Sequence, residues 1–463
     1  MSSVAVLPMP GLSLARERVA PVRPGAPAWR LRHAHWASAS LIAMLLALTI
    51  EGALRKWISP SLTGPLIGIR DLLALGFVLL AMQLGYLSPR KPLNAIMLLW
   101  ICVVTLWGIL QVIAGVSSPM MLAVGLRFWC LYLAFGLAVG QMMDRDGLLR
   151  FIRVCMWIVI LTAPLAVFQF FSPPAAFINK QVDGDESSVF LVSMGVVRTT
   201  GTFSFTLGYT TLLALVTPLI MAAFMEHRRL GIRFPLALAS LAALAIATGV
   251  SGSRAAVVAF GGFVVFGGLF AFLFGRGELK LRALWMLMSI GLLAMVLVSV
   301  LPGAVDALLS RFEQAARSED FVARLSVMFF GEDQAYRSLS LLGQGLGAGS
   351  GLASVISTGE RLFLAGEAEN ARVLAEGGAL GVCYLGFKIM IMTFGGWVAI
   401  KESVRTNSSL PVLVWSGLFL ALFTWPSIGQ LTSHGMMGVY VALGVFVVRQ
   451  AWFAGRFAEL GVR

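Results

Sequence analysis

The chain has 463 residues, 58% of them hydrophobic and only 12% charged, with a formal net charge of +13. A water-soluble domain carries roughly 25% charged residues, so this little charge cannot cover the surface of a soluble particle of this size, and a soluble helical domain is excluded. The positive charge does not signal nucleic acid. It sits between apolar blocks, with no zinc-finger spacing, aromatic-basic interleaving or basic helix.

Residues 1–35 hold Arg16, Arg18, Arg23, Arg30, Arg32 and several prolines, without the early apolar core of a cleaved signal. They are expected to form a basic cytoplasmic tail, followed by an uncleaved anchor. Apolar blocks long enough to cross a hydrocarbon core of roughly 30 Å follow near 36–53, 65–86, 94–115, 120–141, 151–172, 205–225, 232–250, 255–275, 283–301, 377–399, 410–428 and 432–450. They predict a transmembrane domain over 36–450 and a second cytoplasmic tail at 451–463.

Loop charge orients these spans. With the N-terminus inside, the cytoplasmic loops carry Arg90 and Lys91; Arg145, Arg150 and Arg153; Arg228, Arg229 and Arg233; Arg276, Lys280 and Arg282; and Lys401 and Arg405. Arg449, Arg456 and Arg463 mark the C-terminal end as cytoplasmic too. One span more or fewer would put the later basic loops outside. The predicted fold is therefore all-α, with about twelve transmembrane helices and both ends in the cytoplasm. Glu226, His227 and Arg228 then read as a solvated loop on the cytoplasmic side.

Two outer loops are long, at 173–204 and 302–376, and long loops on a compact domain are usually functional. The second contains two stretches with apolar residues at helical spacing. They are Val305, Leu308, Leu309 and Phe312 within 304–315, and Phe321, Leu325, Met328 and Phe329 within 321–342. Such helices can lie at a membrane interface. Cys102, Cys130, Cys155 and Cys383 all fall in apolar runs and read as small buried hydrophobes. His33, His35, His227 and His434 are scattered over both faces, so no metal site is expected.

Charge at membrane depth is costly and marks functional candidates. On the outer half these are Arg70, Asp71 and Arg127, with Arg198, Arg254 and Arg372 near span ends. A planar, permanently charged guanidinium suits phosphate oxygens, so several facing one cavity would make a pyrophosphate site. Arg70, Asp71 and Arg127 read equally as an internal ion pair fixing helix register, and Arg254 as an interfacial anchor. Lys388, in mid-span, is expected to pair or snorkel. Gly343-Gln344-Gly345-Leu346-Gly347-Ala348-Gly349 lacks the strand and helix of a dinucleotide fingerprint and reads as tight turns near a bound ligand. Glu367, Glu369 and Glu376 surround Asn370 and Arg372. A desolvated carboxylate beside arginine can take a proton from a sugar hydroxyl, and Glu369 is the favoured candidate for that role.

Several segments together carry a family likeness. They are Glu51-Gly52-Ala53-Leu54-Arg55-Lys56-Trp57 with Ile69-Arg70-Asp71, then Arg198-Thr199-Thr200-Gly201-Thr202-Phe203, and then Ser251-Gly252-Ser253-Arg254. Arg324 with Leu342–Gly347, and Glu369-Asn370 with Leu374, Glu376, Gly378, Leu380 and Gly381, complete the set. In this order, over most of 51–385, the chain resembles the bacterial O-antigen ligase/polymerase-like membrane proteins. Glu369 stands where ligases of that superfamily commonly carry histidine, so the likeness points to the exopolysaccharide and O-antigen polymerase branch. The resemblance implies a GT-C-like glycosyltransferase that works on undecaprenyl-pyrophosphate-linked oligosaccharide at the outer face, without metal, nucleotide or other cofactor. It implies pyrophosphate binding by Arg198, Arg254, Arg324 and Arg372, catalysis by Glu369 with Arg254, and chain-length-regulator and export proteins as partners. A ligase joining glycan to lipid or protein is one alternative. A lipid-linked oligosaccharide flippase is another, although the sequence shows no echo between its halves.

Overall fold

The computed structural model describes residues 28–182, 197–318, 320–331, 336, 339–350, 368–427 and 430–459. The described regular elements are helices: α1 Ala28–Trp57, α2 Thr63–Gln83, α3 Pro92–Ile113, α4 Pro119–Leu126, α5 Tyr132–Met142, α6 Arg145–Phe171, α7 Thr206–Met225, α8 Phe234–Val250, α9 Arg254–Phe274, α10 Gly277–Val300, α11 Pro302–Ser318, α12 Phe321–Phe330, α13 Glu369–Gly377, α14 Ala379–Thr406, α15 Leu410–Phe423 and α16 Leu431–Glu459. One π turn, Arg127–Leu131, joins α4 to α5. Local chemistry explains the starts. Pro92 and Pro119 stand in first turns, where a missing N–H costs nothing, and the side chains of Ser118, Asp144 and Ser253 cap α4, α6 and α9.

Among the described residues, ten spans are long and apolar enough to cross a membrane, α4 and α5 counting as one, while α8 and α15 are shorter apolar helices. The burial pattern is the one lipid selects. Leu72, Leu106, Leu273, Met295 and Phe394 point outward from α2, α3, α9, α10 and α14, an apolar exposure that water would not tolerate. At the other extreme α7 is enclosed by its neighbours. Gly136 and Gly140 on α5 let α16 approach so closely that a Cβ at either position would strike α16 backbone at Gly438 or Ala442. Small residues of this spacing bring membrane helices into contact.

Hydrogen bonds sort the helix ends into two sets. At one end His33 meets Tyr86, Lys91 reaches Gln141, Arg150 reaches His35 and Ser38, Arg145 reaches the Arg229 carbonyl, and Arg449 reaches the carbonyls of Gln141 and Met143. These are loops that the charge pattern groups on one face. Glu226 lies among them but is buried, not solvated. Its Oε1 accepts from the Ser408 hydroxyl at 3.0 Å, and from the Ser409 N–H at 2.6 Å and hydroxyl at 2.9 Å. A carboxylate at the start of α15 suits the positive end of that helix.

Other differences from the sequence reading are local. Cys102 and Cys383 are exposed rather than buried, because their faces of α3 and α14 meet no neighbouring helix. Within the second amphipathic stretch, α12 ends at Phe330. Gly331 then turns with φ 90° and packs so tightly on Ala371 that a Cβ would collide with it.

Candidate functional site

The opposite end of the bundle gathers the buried polar groups. Glu51 accepts from Arg70 Nη1 at 2.8 Å and from Arg55 Nη1 at 3.3 Å. Arg70 Nε donates to the Tyr132 hydroxyl at 2.9 Å, which donates to Asp71 Oδ1 at 2.8 Å. Arg127 closes the chain with two bonds to Asp71, at 2.5 and 3.0 Å. The sequence candidates Arg70, Asp71 and Arg127 are thus brought together, as the ion-pair reading expects, and Glu51, Arg55 and Tyr132 join them. Arg70 Nη2 and Arg127 Nη1 are buried with no hydrogen-bond partner among the described residues. The network therefore holds three guanidinium groups against two carboxylates and keeps donors to spare. The His434 ring packs edge-on against Phe128 and Tyr132 beside it.

The π turn makes this arrangement. A wider turn changes the direction of successive side chains, so Arg127 and Tyr132 reach Asp71 while Trp129 between them points to Glu376. The Trp129 carbonyl accepts from the Trp100 indole at 3.1 Å.

Glu376, at the end of α13, is fully buried and tethers the glycine-rich segment. Its carboxylate accepts from Trp129 Nε1 at 2.9 Å, the Gly347 N–H at 3.0 Å and the Gly349 N–H at 2.7 Å. Burial pushes its pKa up to about 7, against the pull of those three donors. Gln111 works from the other side. Its amide donates to the carbonyls of Leu342 and Glu376 and accepts from the Leu346 N–H. Gly343, Gly345 and Gly347 all have positive φ, and a Cβ on Gly343 or Gly347 would strike the backbone of Glu376 or Gly125. The segment does make tight turns, but what it approaches is its own chain.

Glu369, at the other end of α13, is buried and accepts the Ser427 hydroxyl at 2.6 Å. Asn370 donates to the Phe329 carbonyl and accepts from Lys388 Nζ at 3.4 Å. Lys388 also donates to the Leu422 carbonyl at 2.8 Å and lies over the Tyr384 ring. The shortness of α15 explains this. At 14 residues it rises about 21 Å, so its last carbonyls and the following Ser427 lie beside the middle of α14 rather than at its end. Lys388 caps the exposed end of that helix, pairing rather than snorkelling.

Lys56 is buried at the end of α1. It donates to the Thr200 hydroxyl at 2.8 Å and the Gly201 carbonyl at 2.9 Å, while Gln169 binds the same two residues from α6. The segment around Arg198 is thereby fixed to two helix ends. Arg198, Arg254 and Arg372 are all partly buried. Arg198 precedes α7, Arg254 opens α9 behind its Ser253 cap, and Arg372 lies in the first turns of α13. The backbone of Arg324 lies in α12, but its side chain falls outside the described residues, as does Glu367. No group of three or more metal-ligating side chains occurs among the described residues.

Sequence reasoning passed over Gln111, Trp129, Tyr132, Gln169 and Ser427, and named Glu376 only as a member of the acidic cluster. The available signal was the one used for Arg70, a polar side chain inside an apolar block, and Gln111 and Gln169 both satisfy it. No family model, curated protein or solved structure matches this chain.

Proposed function

We propose that the chain is a membrane glycosyltransferase of about twelve spans, with both ends cytoplasmic, that polymerises a surface polysaccharide at the outer face of a bacterial inner membrane. The donor is a glycan held by undecaprenyl pyrophosphate, and the acceptor is a lipid-linked repeat unit. A hydroxyl of the acceptor gives its proton to Glu369 as its oxygen bonds to the anomeric carbon of the donor. The bond from that carbon to the pyrophosphate breaks, and undecaprenyl pyrophosphate leaves. Arg198, Arg254, Arg324 and Arg372 are assigned to the developing phosphate charge, the kind of clamp that lowers such a barrier.

The observation that carries this reading is Glu369 itself, a buried carboxylate on a serine hydroxyl, at the bundle end that also carries the arginine-bearing segments. A buried carboxylate already engaged with a hydroxyl is the kind of side chain that general-base chemistry uses. The test is elongation of purified lipid-linked repeats by the protein in vesicles, read as product length. Wild type is expected to produce a ladder, and Glu369→Gln to lower the rate by roughly 10²–10⁴. A folded Glu369→Gln protein that elongates normally removes the base assignment. Transfer to a different acceptor without lengthening means a ligase, and movement of the lipid without bond formation means a flippase.

A further inference from the structure

At the opposite end from Glu369, a cavity of about 460 Å³ is lined by Arg228, Arg229, Glu278, Arg282, Thr406 and Asn407. Three apolar helices terminate around it: α7 ends at Met225, α10 begins at Gly277 and α14 ends at Thr406. Where apolar spans stop together, hydrocarbon gives way to headgroups. The cavity is basic at that level, with three guanidinium groups against the carboxylates of Glu278 in its lining and Glu226 behind Arg229. Arg229 is held by the Thr406 carbonyl at 2.7 Å and by Glu226 at 3.7 Å, and Arg282 by Glu278 at 2.9 Å. The exposed Arg228 side chain makes no hydrogen bond or ion pair among the described residues.

A second groove, of about 820 Å³, runs along α14 and is lined by Met390, Thr393, Phe394, Trp397 and Ile400 among others. These positions recur every three or four residues and so share one face of the helix. Val404 and Asn407 extend the same stripe into the basic cavity. From Met390 to Asn407 the helix rises about 25 Å, the scale of a lipid acyl chain.

We propose that this stripe holds an anionic phospholipid, with its phosphate among Arg228, Arg229 and Arg282 and an acyl chain in the α14 groove. The apolar trough ends at Ile400 and the basic cavity begins at Thr406 of the same helix, an order that suits a lipid and would be wasted on a soluble anion. The site depends only on the chain lying in a membrane and not on the glycan reading, so either can fail alone.

The test is native mass spectrometry of the full chain in detergent, titrated with phosphatidylglycerol or with phosphatidylcholine of the same acyl chains. Phosphatidylglycerol is expected to be retained preferentially, with the preference falling by about fivefold for each of Arg228→Gln and Arg282→Gln. Brominated acyl chains on the same lipid are expected to quench less fluorescence in Trp397→Phe than in wild type. Equal retention of the two lipids overturns the proposal, as does an unchanged preference in the double variant. Complete displacement by inorganic phosphate also overturns it, because the site would then belong to a soluble anion.

Discussion

The indole of Trp129 donates to the carboxylate of Glu376 at 2.9 Å, tying the π turn between α4 and α5 to the end of α13. Through the same carboxylate, Trp129 is one bond away from the backbone of Gly347 and Gly349. The glycine-rich segment is therefore held by buried side chains of α13 and α3, Glu376 and Gln111, with Trp129 of the π turn bracing the first.

Trp129→Phe keeps the ring but leaves Glu376 with one donor fewer. A cost of about 1–3 kcal/mol is expected, as for other buried groups left short of a partner. Hydrogen exchange at 343–349 is expected to speed up. Unchanged exchange there would mean that Glu376 and Gln111 hold the segment without help from Trp129.

Glu376 makes stability depend on pH. Its folded pKa of about 7 exceeds the value of 4.5 that an unperturbed glutamate shows, so the folded state binds the proton more tightly. The stabilisation is full below pH 4.5 and is lost as pH rises through 7, amounting to about 3 kcal/mol. Glu376→Gln does not titrate, so its melting temperature is expected to vary less over that window than wild type's. Parallel melting curves would rule out this carboxyl as the titrating group.

The Glu51–Arg70 pair is almost completely shielded. Glu51→Gln leaves two arginines without their shared carboxylate, and a loss of about 3–5 kcal/mol is expected. Replacing both partners, as Glu51→Leu with Arg70→Met, is expected to recover most of it. Thermal unfolding of the three variants in one detergent measures the difference. A double variant no more stable than the single one would show that the pair does more than balance charge.

Arg254→Ala is expected to abolish elongation while the protein stays in the membrane at wild-type level, because Ser253 still caps α9. Ser427→Ala, which removes the hydroxyl on Glu369, is expected to slow elongation by about tenfold, the worth of one hydrogen bond to a charged group. It should also alter the pH dependence of the rate, which a purely structural serine would not. Full-length polymer from Arg254→Ala, or a wild-type rate and pH dependence in Ser427→Ala, contradicts the corresponding role.

The helices themselves were plain in the sequence, because an apolar block of about twenty residues has few other structures open to it in lipid. Charge in the short loops grouped the helix ends correctly, as the bonds from Arg145 to Arg229 and from Arg449 to Gln141 show. Where α15 stops was not legible. Residues 410–423 run on with only Ser416 polar, Pro426 falls after the stop, and it is Lys388, contributed by another helix, that marks Leu422 as a helix end. Likewise nothing local announces the π turn at Arg127, whose partners Asp71 and Trp100 lie in other helices. Glu369 stood out because a carboxylate beside arginine can serve as a base. Glu376 was visible only as a neighbouring acid, since its work is to hold backbone amides that only folding brings near.

The wide turn at 127–131 also sets a rule for insertions and deletions. Removing one residue there would restore a regular helix and rotate everything before it by about 100° relative to everything after. Arg127 would swing away from Asp71 even though every side chain in the chain of bonds was still present. Homologous chains that keep the acid–base network should therefore keep the length of this stretch more strictly than its letters.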